Sequence, residues 1–125
     1  MIQKLLLLAL AGGLGTLARY GLAGWVQRWA GADFPWGTAV VNVAGCFAFG
    51  MFWALASERW AIGGEVRAVV LVGFLGAFTT FSTFMSETGQ LLMDSQWLIA
   101  GVNVLVQNAV GIAVFLLGLA VGRVM

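Results

Sequence analysis

The chain of 125 residues contains no histidine, a single cysteine and a single proline, and only 9% of its residues are charged. Without histidine, the nucleophile, base and orienter set of a hydrolase loses its usual base. The five acids, Asp33, Glu58, Glu65, Glu87 and Asp94, are too scattered along the chain to replace it as a pair. An enzyme is not expected. A lone Cys46 cannot close an intrachain disulfide, and one thiol with dispersed carboxylates is no transition-metal ligand set. The six basic residues form neither a run nor a stripe, so nucleic acid is not an expected partner.

What is abundant is apolar surface. Hydrophobic residues make up 62% of the chain and the mean hydropathy is +0.99, against roughly 45–50% apolar residues in soluble domains. This composition predicts an all-α integral membrane protein in the lipid bilayer. A helix needs about 20 residues to cross the hydrocarbon, and the apolar runs predict one domain over 1–125 with four transmembrane helices, at about residues 5–26, 38–56, 68–93 and 97–121. Lys4 followed by Leu5 to Ala11 has the form of a signal peptide, but the apolar run continues to Val26, longer than an h-region of about 7–15 residues. It is read as the first span. Trp25, Trp29 and Trp36 gather at the first junction as interfacial anchors do. Pro35 punctuates the loop before span two, a charged loop follows span two, and Asp94 to Gln96 make a tight turn. Both termini then lie on one side with Lys4, Arg59, Arg67 and Arg123, while Arg28 alone lies squarely on the other, an asymmetry that favours cytoplasmic termini.

The third span carries the least oily stretch of the chain, GFLGAFTTFSTF, Gly73 to Phe84, with two glycines, four hydroxyls and four phenylalanines. Gly73, Gly76, Thr79 and Thr80 predict a break near mid-membrane, which would free carbonyls from one half-helix and amides from the other. Close packing by the glycines and threonine bonding within the helix is the alternative. Phe81 and Phe84 share a face with Thr80 and Glu87, and ring edges are electropositive enough to approach an anion. Core packing is the plain reading of the same rings. Asn42 in span two has Gly45, Cys46 and Phe49 on its face; its amide is suited to donate to an anion or to join helices. Asn103, Gln107 and Gly111 form a second polar stripe on span four, beside Asn108, and both roles are open for them too. Arg19 lies deep in span one on a stripe of small residues, Ala11, Gly15 and Ala23. Ionisable groups at that depth are costly and mostly functional, here as a vestibule charge or as a side chain snorkelling to the interface. Glu87, the one acid within a span, could oppose Arg19 or sit at the far mouth.

Three stretches, GGLGTLARY (Gly12 to Tyr20), VNVAGCFAFG (Val41 to Gly50) and GFLGAFTTFSTF, together resemble the signature segments of the CrcB/Fluc family of fluoride channels, and the resemblance covers the four-span layout of the whole chain. It implies a passive, fluoride-selective channel in the cell inner membrane, relieving fluoride toxicity, built as an antiparallel dual-topology homodimer with two pathways. A structural sodium ion would be held at the dimer centre by the backbone carbonyls of Gly76 and Thr79. The fluoride pathway would use Asn42, Thr80, Phe81, Ser82, Thr83, Phe84 and Glu87, with Arg19 in the vestibule. Two other readings compete. A small dual-topology multidrug/proton antiporter would need an acid in span one, where this chain has Arg19; a non-transporting structural subunit would need only the Asn and Gly contacts.

Overall fold

The computed structural model describes all residues from Met1 to Met125, and every regular element in it is helical. The chain forms α1 (Ile2–Ala30) and α2 (Trp36–Arg59). A third span over Gly64–Met93 follows; it is helical at residues 64–78 (α3), leaves the helix at Thr79 and Thr80, and resumes as α4 (Phe81–Met93). The last helix is α5 (Trp97–Val124). The four runs are long and apolar enough to cross a membrane. Each helix but α4 continues past the apolar core that marks its span, because polar and aromatic residues such as Gln3, Gln27 and Trp29 tolerate the interface.

Turn chemistry accounts for the joints. α1 ends at Gly31, whose φ of 91° is the left-handed conformation that glycine adopts without penalty. Gln27 then ties the loop down. Its Nε2 donates to the Phe34 carbonyl at 2.9 Å, and its Oε1 accepts the Gly37 N–H at 2.9 Å. Ser95, with φ of 60°, turns the chain between α4 and α5. On the terminal side, Arg123 donates to Glu58 at 2.8 Å, fastening the end of α5 to that of α2, and the Arg67 guanidinium lies 4.9 Å from the centre of the Trp53 ring.

α2 and α5 pack along their lengths and form the spine, while α1 lies against α3 and the start of α2. Small residues set these distances: a Cβ on Gly50 would run into the Phe115 carbonyl of α5. Only 23 of 125 residues are buried, and α1 buries Gly15 alone. So much exposed leucine, valine and tryptophan suits a surface solvated by lipid rather than water. The stripe Ala11, Gly15, Arg19 and Ala23 includes this packing face: Gly15 meets the Phe74 backbone and the Ala23 backbone meets Gly37.

Candidate functional site

The site begins where the third span stops being a helix. Thr79 (φ −81°, ψ 159°) and Thr80 (φ −150°, ψ 114°) are extended. The Thr80 N–H and carbonyl therefore need partners outside the α-helical ladder, and inside a membrane water cannot supply them. Asn42 of α2 does. The Thr80 N–H donates to Asn42 Oδ1 at 2.8 Å, and Asn42 Nδ2 donates back to the Thr80 carbonyl at 3.1 Å. One side-chain amide thus matches one backbone peptide unit, donor to acceptor twice.

This pairing diverts the donor that would have closed the Gly76 carbonyl in a continuous helix. The Thr79 N–H still reaches the Leu75 carbonyl at 3.0 Å, as does the Thr79 hydroxyl at 3.0 Å. Beyond the interruption, Thr80 caps the new helix by accepting the Thr83 N–H at 3.2 Å, and its hydroxyl donates to Thr83 Oγ1 at 2.9 Å. Gly45 lets the helices approach at this level: any Cβ there would overlap the Thr79 methyl and press on the Phe78 ring.

Around the interruption lies a cavity of about 430 Å³, and its walls include Asn42, Gly45, Thr80, Phe81, Phe84 and Gln107. Cys46 and Phe49, one and two turns along α2 from Asn42, line it as well. The Phe81 and Phe84 rings meet edge to face, 5.9 Å between centroids and 67° between planes. Their environments differ: Phe84 is 4% exposed and Phe81 72%. The cavity offers amide donors, hydroxyls and ring edges, and no charged side chain borders it.

A chain of hydrogen bonds leads away from Asn42. Its Nδ2 donates to Gln107 Oε1 at 2.7 Å, Gln107 Nε2 to Asn103 Oδ1 at 2.9 Å, Asn103 Nδ2 to Thr88 Oγ1 at 3.0 Å, and the Thr88 hydroxyl to the Phe84 carbonyl at 2.8 Å. Asn103 is wholly buried. The amide stripe on span four signalled these residues without assigning partners; Thr88 gave no signal of its own, because a threonine at that spacing bonds back to its helix anyway.

Glu87 lies elsewhere. It borders a second cavity of about 520 Å³ with Gln27, Asp33, Gln90, Asp94 and Gln96. Its Oε1 accepts from the Thr38 hydroxyl at 2.7 Å, while its Oε2 is buried without a partner. Opposition between Glu87 and Arg19 is not formed, since the one ion pair is Arg123 with Glu58 and Glu87 turns toward α2. Arg19 is half-buried and lines neither cavity, and Ser82 and Thr83 are exposed on α4. The expected face of Thr80, Phe81, Phe84 and Glu87 is therefore divided: Thr80 caps α4 from outside its first turn, and Glu87 is nearly one turn beyond Phe84 toward the second cavity.

Four helices long and apolar enough to span a membrane, with an uncharged, amide-lined cavity at an interruption of one span, define a multi-pass membrane protein. The family model described as CrcB-like protein, Camphor Resistance (CrcB) matches residues 6–119, and the chain belongs to this family. It is 56% identical over 124 residues to the Fluoride-specific ion channel FluC of Nitrosococcus oceani, covering 99% of each chain. Proteins of the same name from Desulforapulum autotrophicum and Solidesulfovibrio magneticus are each 54% identical over 123 residues, covering 98% of each chain.

Proposed function

We propose that this protein is a fluoride-selective channel of the cell inner membrane that lets the anion leave the cytoplasm passively. Its membership of a family with relatives named fluoride-specific ion channels supports this reading. The observation that carries it is the meeting of Asn42, Thr80 and the edge-to-face pair Phe81 and Phe84 around one uncharged cavity. Fluoride is small and strongly hydrated, so a pathway must replace its water with donors. Amide and hydroxyl hydrogens with ring edges do so without a fixed positive charge, which would hold the ion too tightly to conduct it. Ser82, Thr83 and Glu87 extend the proposed pathway along α4, and Arg19 draws anions toward its mouth.

The working unit in this proposal is an antiparallel, dual-topology homodimer with two pathways. Phe81 is 72% exposed and the cavity is open, which supports a second copy closing it. A structural sodium ion fits the interruption in donor chemistry. Unwound backbone carbonyls are the oxygen ligands that membrane proteins offer sodium, and the Gly76 carbonyl has lost its usual donor because the Thr80 N–H is bonded to Asn42. Gly76 and Thr79 would hold the ion with the same carbonyls of the second copy. Bound there, sodium would supply a fixed positive potential at the dimer centre.

The test is efflux from proteoliposomes. Purified protein is expected to release trapped fluoride while retaining chloride; equal chloride release, or no fluoride release from folded protein, would sink the proposal.

A further inference from the structure

The hydrogen-bond chain from Asn42 to the Phe84 carbonyl has a direction, and one backbone group sets it. The Thr80 N–H can only donate, so Asn42 must turn Oδ1 toward it and Nδ2 away. Both Asn42 amide hydrogens are then spoken for, one by the Thr80 carbonyl and one by Gln107 Oε1. Gln107 must present its oxygen there, which sends its Nε2 to Asn103 Oδ1; Asn103 must then send Nδ2 to Thr88, which donates onward to Phe84. From Asn42 through Gln107 and Asn103 to Thr88, each donor points onward to the next residue. In this arrangement Gln107 faces the cavity side of Asn42 as an acceptor, occupying the one N–H that an anion would seek.

The same residues permit a second arrangement, complete only when an acceptor is added beside Asn42. If the Gln107 and Asn103 amides turn over, Asn103 Nδ2 donates to Gln107 Oε1, and the Thr88 hydroxyl leaves the Phe84 carbonyl to donate to Asn103 Oδ1. Gln107 Nε2 then faces Asn42 Nδ2. Two donors so placed repel each other unless an acceptor lies between them, and Gln107 and Asn103 are too buried, at 8% and 0% exposure, for bulk water to make up the difference. An anion is such an acceptor. Only a ligand that binds the two arrangements unequally shifts their populations, and the anion binds the reversed one alone.

Resting on the channel reading above, we infer that Gln107 and Asn103 form a reversible amide relay. An anion arriving at Asn42 turns Gln107 from acceptor to donor, and the relay returns when the anion leaves. Gln107 is thereby a specificity-determining residue, since it offers a second N–H to a solute that accepts hydrogen bonds and closes on Asn42 when none is present. Asn103 and Thr88 are positioning residues that complete both arrangements.

Solid-state NMR of wild-type protein in liposomes containing sodium fluoride, with nitrogen labels on the glutamine side chains, reads the contact directly. The Gln107 side-chain nitrogen is expected to show dipolar contact with fluoride. Gln107→Met, which cannot donate there and accepts only weakly, is expected to release fluoride at least about tenfold more slowly than wild type, a barrier change of one decade, with unchanged elution on gel filtration. If wild type conducts fluoride but its Gln107 nitrogen shows no such contact, or if Gln107→Met conducts at the wild-type rate, the relay is overturned. If wild type conducts no fluoride, the channel reading fails instead. Should Gln107→Met not fold, the wild-type NMR contact decides the relay alone.

Discussion

Phe81 and Phe84 are three residues apart on one helix yet live in different surroundings, one largely exposed and one almost fully buried, with the edge of one ring on the face of the other. In the proposed channel both offer ring edges, so an aliphatic side chain of similar bulk at position 81 removes the electrostatic contact and keeps the volume. Phe81→Ile is expected to lower fluoride release by about tenfold or more, the loss of a contact of roughly 1.5 kcal/mol, while the protein elutes as wild type; undiminished release would show that the ring is packing material. The two rings and Asn42 were legible in the sequence as polar or aromatic anomalies in oily segments. The bond between Asn42 and Thr80 was not, because it joins positions 38 residues apart and depends on how α2 sits against the third span. The face drawn through Thr80 assumes helix at that residue, and there the backbone is extended.

Among the elements, the third span depends most on its neighbours. Two glycines and four hydroxyls mark where it loosens, but the same composition would allow an unbroken helix, and what decides between them is α2. Gly45 gives Thr79 room, and Asn42 receives the peptide group that the helix gives up. Gly45→Val is therefore expected to disturb the interruption from the outside, with an overpacking cost of about 1–3 kcal/mol. Thermal unfolding in detergent should show the lowered midpoint, and fluoride release should fall with it. A variant as stable and active as wild type would mean that the helices separate at no cost. Span positions were readable from hydropathy alone; helix ends were not, since they are set by local devices such as the Gln27 clamp and the φ of Gly31, which carry no hydropathic signal.

At the scale of the whole molecule, charge and symmetry pull in different directions. Lys4, Arg59, Arg67 and Arg123 share one side and Arg28 stands on the other, which favours a single orientation, whereas the proposed dimer needs both. Arg123 is partly offset by its bridge to Glu58, both exposed, so the effective imbalance is smaller than the count of basic residues. Labelling a cysteine placed at the N-terminus, in a Cys46→Ser background, with a membrane-impermeant reagent is expected to modify comparable fractions from the two faces of the membrane. Modification from one face only would exclude the antiparallel dimer and leave the cavity at Asn42 without its proposed cover.

The reciprocal pair between Asn42 and Thr80 also has a mechanical meaning. A helix interrupted by two extended residues would ordinarily be a hinge, free to swing about its unbonded peptide groups. Here the neighbouring helix lends a carboxamide, chemically a peptide group without its chain, and the gap is bridged at both hydrogen-bonding ends. The interruption is bridged rather than left free to pivot, and a bend at this point must either carry α2 along or break both Asn42 hydrogen bonds.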